Sequence, residues 1–225
     1  MNQTKIIIIF FAFIFIAGWF LLTPKHLQPG TEAINQTPAN SAIINQTVTS
    51  SSPASIIKTP ELAEPLDSAL SRVAKKPFGL YVTPKNSPVS PEKFSGYHTG
   101  VDFEILPGEE TLDVPVRAVC GGKLLLKKSV SGYGGVAVES CELADQQVTI
   151  IYGHLELTSI NHEIGQAVAA GETIGLLGRG YSDETDGERK HLHLAVHKDA
   201  AVNLLGYVQD KKLLDGWINA LDYMK

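Results

Sequence analysis

From Pro77 onward the apolar residues come in short runs separated by Gly, Pro and Asp, and this punctuation narrows the available folds more than any other feature of the chain. Val116 to Val119, Lys123 to Lys128, Gly135 to Glu139, Val148 to Tyr152, Thr173 to Leu177 and Leu192 to Val196 are long enough for strands and too short for helices. Turn signals stand between them at Pro107-Gly108, Gly121-Gly122, Gly132 to Gly135 and Gly171. No long helical pattern intervenes. The expected fold class is mainly β: an antiparallel sheet or partly open barrel over residues 77–200, with loops making a groove. A hydrophobic content of 44% over 225 residues is enough to give such a domain a core.

The flanks follow other rules. Ile6 to Leu22 is a 17-residue stretch without a charge, roughly 25 Å long as a helix and at the short end for a membrane span. Residues 1–23 are therefore expected to be a membrane anchor, with a cleaved signal segment as the alternative. Residues 24–60 are rich in Asn, Gln, Ser, Thr and Pro and bury too little to offset the entropy of ordering, so they are expected to form a flexible linker. Leu62, Leu66, Leu70 and Val73 recur at helical spacing, which predicts a short amphipathic helix over 61–76. Leu213, Leu214, Trp217, Ile218 and Leu221 do the same near the end and predict a helix in the extension 201–225.

Chemistry is concentrated in three stretches. His98 and Asp102 lie in Tyr97-His98-Thr99-Gly100-Val101-Asp102, His154 lies in Tyr152-Gly153-His154-Leu155, and His191 and His193 flank Leu192. Imidazole and carboxylate are the side chains that bind zinc where one position stays open for water. On a strand, residues i and i+2 or i+4 share a face, so His98 with Asp102 and His191 with His193 can point the same way. Two strands carrying these pairs side by side would make a metal site.

These motifs, with Ala118 to Gly122 before a strand and Gly165-Gln166, Val168 and Gly171-Glu172 followed by Ile174-Gly175, resemble the M23 family of zinc metallopeptidases, of the lysostaphin/LytM type. The resemblance covers roughly residues 77–200 in order. It implies that His98, Asp102 and His193 bind one zinc ion per chain and that His154 and His191 line the open position as catalytic residues. The implied activity is an endopeptidase cutting peptide bonds in peptidoglycan stem peptides or cross-bridges. The alternative is a catalytically silent module that binds the cell wall and recruits or activates other hydrolases. The chain departs from the family pattern at Lys190, before the His-Leu-His run, and at Leu194-Ala195 after it.

Peptidoglycan peptides are thus the expected partner, and the membrane through residues 6–22. The expected location is the cell membrane, with the catalytic domain outside the cytoplasm. Residues 77–200 hold 10 Lys and Arg against 17 Asp and Glu, and an acidic face repels phosphate backbones, so no nucleic-acid partner is expected. Cys120 and Cys141, the two cysteines, are disulfide candidates in an exported protein. The charged stretch Ser182 to Lys190 borders the presumed site and is a candidate for choosing substrates. Glu104 is a candidate to orient a ligand, and His197 shares strand parity with His191 and His193.

Overall fold

The computed structural model describes residues 61–225; the expected anchor and linker lie outside them. Thirteen strands account for most of the regular structure. In chain order they are β1 (Tyr81–Val82), β2 (Gly96–His98), β3 (Gly100–Glu104), β4 (Pro115–Arg117), β5 (Gly122–Val130), β6 (Gly134–Leu143) and β7 (Gln146–Gly153). They continue with β8 (Leu155–Glu156), β9 (Ala167–Val168), β10 (Thr173–Leu177), β11 (His191–His197), β12 (Tyr207–Val208) and β13 (Trp217–Ile218). Each of the six expected strands lies at or within two residues of one of these.

The pairing between these thirteen strands is antiparallel. The main sheet runs β13-β11-β7-β6-β5-β9, and β3 lies beside the first half of β11 on the edge that β13 covers in the second half. Two three-stranded sheets, β1-β2-β12 and β4-β10-β8, flank it, and no barrel closes. Strands β7 and β11 are largely buried on both faces because both faces are covered. Ile150, Tyr152, Leu192, Leu194 and Val196 enter the larger core, while Ile151 and Ala195 enter a smaller one with Tyr133, Val136, Val138 and Trp217. Period-two alternation therefore sends His191 and His193 to the side of the smaller cluster.

Neither expected helix is present. Over 61–76 only a four-residue 3-10 turn forms, Ala69–Arg72, after Ser68 in a left-handed conformation. Leu62 forms a parallel bridge with Met224 instead. Leu62, Leu66 and Ala69 enter the larger core, whereas Leu70 stays 51% exposed, so the apolar spacing reflects an irregular strap laid across the core. The C-terminal stretch breaks into 3-10 turns, Lys211–Gly216 and Ala220–Tyr223, around β13. Asp210 and Asn219 accept hydrogen bonds from Lys212 and Leu221 and cap these turns. Trp217 and Ile218 gain ladder bonds to β11 that a helix would not offer, a case of tertiary pairing overriding local spacing.

One buried acid makes the core sensitive to pH. Glu139 on β6 is 1% exposed and accepts a hydrogen bond from the Tyr152 hydroxyl at 2.6 Å, while its other oxygen has no partner. Burial raises its carboxyl from 4.5 to about 7, against the bond from Tyr152. Below about pH 4.5 both folded and unfolded forms are protonated and the group is neutral to stability. Between 4.5 and 7 the folded state holds the extra proton, so stability falls as pH rises, and above 7 the loss, up to about 3 kcal/mol, is complete. Glu139→Gln is therefore expected to raise the melting temperature more at pH 8 than at pH 5. An equal shift at both values would contradict the assignment.

Candidate active site

Strand β11 is the spine of the site. Its residue His193 lies opposite Asp102 of β3 on one side and opposite Gly153 of β7 on the other; His191 lies opposite Glu104. Because all these positions share one face, the side chains of Asp102, Glu104, His191 and His193 gather on the side of the smaller core. Glycines make the approach feasible. A Cβ on Gly100 would lie 2.6 Å from the Leu194 carbonyl and 2.7 Å from His193 Nε2, and one on Gly153 would lie 2.5 Å from the Tyr133 ring.

His98 and Asp102 do not share a strand as the i, i+4 spacing predicts. Thr99 separates β2 from β3, donating its backbone N–H to Gly206 and its hydroxyl to Leu205, so the chain changes sheets at that corner. The two side chains still converge, with His98 Nε2 lying 3.3 Å from Asp102 Oδ1. His193 Nδ1 lies 3.0 Å from that same nitrogen of His98 and 3.1 Å from Asp102 Oδ1. All three residues are buried. His98 Nδ1 faces the Pro77 carbonyl at 3.2 Å; donating there, it leaves the lone pair of Nε2 pointing at the other two atoms.

Three acceptor atoms facing one another without a cation would repel. Their separations are close to the edges, about 3.3 Å, of a tetrahedron with zinc-like bonds of about 2.0–2.1 Å. Among the described residues His98, Asp102 and His193 form the one such group that could hold a metal ion. Charge agrees with that use. Burial would raise Asp102, but the nearby His191 and His98 hold it well below the usual carboxylate range. Burial lowers His193 to about 4 despite the neighbouring Asp102, so it is a neutral imidazole near pH 7.

The other two histidines form the wall beside this group. His154 follows β7 at φ 65°, a left-handed conformation uncommon for a residue with a side chain. Hydrogen bonds from its N–H to the Tyr133 carbonyl and from the Gly178 N–H to its carbonyl hold it there. Its ring lies 4.2 Å, centroid to centroid, from that of His191. Burial, and next to it His191, lowers the His154 imidazole well below the ordinary range, and its Nδ1 has no protein partner. His191 directs Nδ1 at the Arg189 carbonyl, 2.8 Å away, and Nε2 at Asp102 Oδ2, 3.3 Å away. Asp102, His154, His191 and His193 line a cavity of about 270 Å³ shared with Tyr133 and Tyr207.

The departures noted in the sequence are absorbed by packing. Lys190 turns away and donates to the carbonyls of Glu109 and Leu112, while Leu194 and Ala195 are buried on opposite faces of β11. His197 lies four residues beyond His193, about 13 Å along a strand, and contacts the Trp217 ring and Asn203. His162 pairs with Glu172. Glu104 does act through a neighbour. It binds Arg189, whose Nη2 also donates to Asp102 Oδ2 at 2.9 Å. The roles of Arg189, Glu188 and Tyr133 around the site had no signal in the sequence beyond the charge of the 182–190 stretch.

Residues 96–204 match the description of peptidase family M23. Over that segment the chain is similar to the M23 peptidases. No curated protein matches it. Among solved structures it is similar to Csd3 from Helicobacter pylori, at 23% identity over 67% of this chain and 35% of that one, with a TM-score of 0.42. The chain thus spans about a third of the length of Csd3. It is similar to LytU at 23% identity over 67% of this chain and 91% of that one, with a TM-score of 0.42. The catalytic domain of the antimicrobial peptidase lysostaphin from Staphylococcus simulans matches at 22% identity over 69% of this chain and 99% of that one, with a TM-score of 0.45. The M23 match ends at Leu204, one of the residues that line the cavity.

Proposed function

We propose that this M23 domain is a zinc-dependent endopeptidase acting on peptide bonds of peptidoglycan, held at the outer face of the cell membrane by residues 6–22. The observation that carries the reading is the convergence of His98 Nε2, Asp102 Oδ1 and His193 Nδ1 within 3.3 Å of one another beside a cavity. The donor set of two imidazoles and one carboxylate suits zinc, which when bound supplies Lewis-acid polarisation of a carbonyl and lowers the pKa of water.

The chain's own residues do the rest. His154 and His191, paired at the cavity wall, take the proton released by the attacking water and return it to the leaving amine. The Arg189 carbonyl accepts from His191 Nδ1 and so orients the ring that takes part in this exchange. Arg189 Nη2 ties down Asp102 Oδ2 and so presents Oδ1 alone to the metal. Arg189→Met is expected to weaken zinc binding about 10- to 100-fold, read by competition with a chromogenic chelator; unchanged affinity would remove Arg189 from the site.

The deciding experiment is digestion of cross-linked peptidoglycan by the detergent-purified chain with zinc, with chelator, and with His154→Ala, followed by mass spectrometry of the products. New amine termini from the zinc-loaded wild type alone are the expected result and identify the bond. No cleavage on several wall chemistries, with one zinc bound per chain, would overturn the enzyme in favour of a wall-binding regulatory module.

A further inference from the structure

Glu188 stands out in the cavity wall because its backbone is fully engaged and its carboxylate is not. The Glu188 N–H donates to the Thr185 carbonyl at 3.0 Å, and its own carbonyl accepts from the Tyr181 N–H at 2.6 Å and the Thr185 hydroxyl at 2.7 Å. Thr185 is completely buried, and a capping box between Ser182 and Thr185 closes the turn below it. The segment thus holds Glu188 rigidly at the cavity, 6% exposed, with Oε1 buried and unpartnered.

The neighbouring cations are all committed elsewhere. Lys76 Nζ pairs with Glu92 at 2.8 Å and donates to the Tyr207 hydroxyl at 2.7 Å. Arg189 is taken by Glu104 and Asp102, and Lys93 by Asp186. Burial raises the Glu188 carboxyl above the usual range even though Lys76 opposes it. A buried carboxylate without a counter-charge is costly, and a ligand that brings the charge offsets that cost. An ammonium group supplies a full positive charge and three donors in a small volume.

We propose that Glu188 forms a subsite for a primary ammonium group of the substrate, a free amine carried by the wall peptide close to the bond that is cut. This rests on the peptidase reading, since the same cavity is lined by Asp102, His154, His191 and His193. The subsite selects strands with an unmodified amine near the scissile bond and disfavours those whose amine is acylated.

The test uses the full chain in detergent with chelator present, so that binding is read without turnover. Its co-sedimentation with purified peptidoglycan sacculi is compared with that of the same sacculi N-acetylated by acetic anhydride. The wild type is expected to bind the acetylated form about tenfold more weakly. Glu188→Gln, which keeps the shape and removes the charge, is expected to bind both forms alike. Glu163→Gln, the same charge change at an exposed site that does not line the cavity, is expected to keep the preference. Equal sedimentation of wild type with both sacculi, sedimentation with neither, or a preference that survives in Glu188→Gln overturns the inference. Zinc-loaded digestion of the native sacculi separates the two readings. Cleavage without any amine preference sinks the subsite and leaves the peptidase, whereas amine-dependent binding without cleavage does the reverse.

Discussion

Asp102→Ala is expected to leave the chain unable to retain zinc through gel filtration and to lower peptidoglycan cleavage by about 10³-fold, the rate equivalent of several kcal/mol of Lewis-acid stabilisation. The size of the effect follows from how many partners meet at this carboxylate. Oδ1 is one corner of the triangle with His98 and His193, and Oδ2 receives Arg189 and faces His191. Removing it takes away a metal donor and frees Arg189, buried with Glu104 as its remaining anionic partner, to move toward the histidines. Metal analysis and cleavage assay of the same preparation check the expectation. One zinc per chain with undiminished cleavage would show that His98 and His193 hold the ion without Asp102 and that the triangle has been misread.

Replacing Cys120 and Cys141 together by Ser is expected to cost about 3 kcal/mol of stability in the chain-entropy description of a loop of this length. For a domain of this size that corresponds to a melting temperature lower by about 10 °C. The disulfide joins Cys120, just after β4, to Cys141 on β6 with a Cα separation of 5.9 Å across 21 residues. Both cysteines lie in the larger core, so the bridge ties the β4-β10-β8 sheet to the main sheet at the end away from the histidines. Zinc affinity is accordingly expected to be unchanged in the double variant at temperatures where it is folded. Thermal melts of wild type with and without reductant provide the control, and a difference below about 0.5 kcal/mol would mean that strain or residual unfolded structure cancels the loop term.

Different parts of the molecule were legible to different degrees. The strands were visible because Leu192 to Val196 and Val148 to Tyr152 are largely apolar and bounded by turns, a pattern that needs no knowledge of partners. The sequence predicts helices there because Leu62 and Leu66, or Trp217 and Ile218, satisfy helical spacing, yet contacts far away in sequence hold them: Met224 for the first strap and β11 for the second. Local periodicity records that a residue is buried, and only the partner decides in which backbone conformation.

The same division holds at the site. Residue type and order singled out His98, Asp102, His154, His191 and His193, since few other side chains offer lone pairs of that kind in such motifs. Their convergence required the corner at Thr99, the glycines at 100 and 153 and the antiparallel register that sets His193 against Asp102. Which charges stay unpaired was beyond the sequence altogether. Within Ser182 to Lys190 the acidic and basic residues look interchangeable, yet the folded loop spends Arg189 on Asp102 and Glu104, sends Lys190 to carbonyls behind the sheet, and leaves Glu188 facing the cavity alone. The sequence by itself determined the β class and the set of donors, because strand period and side-chain chemistry are local properties. The tertiary structure alone decided the sheet order, the metal triangle and the free carboxylate, because pairing and desolvation depend on which distant residues share a space.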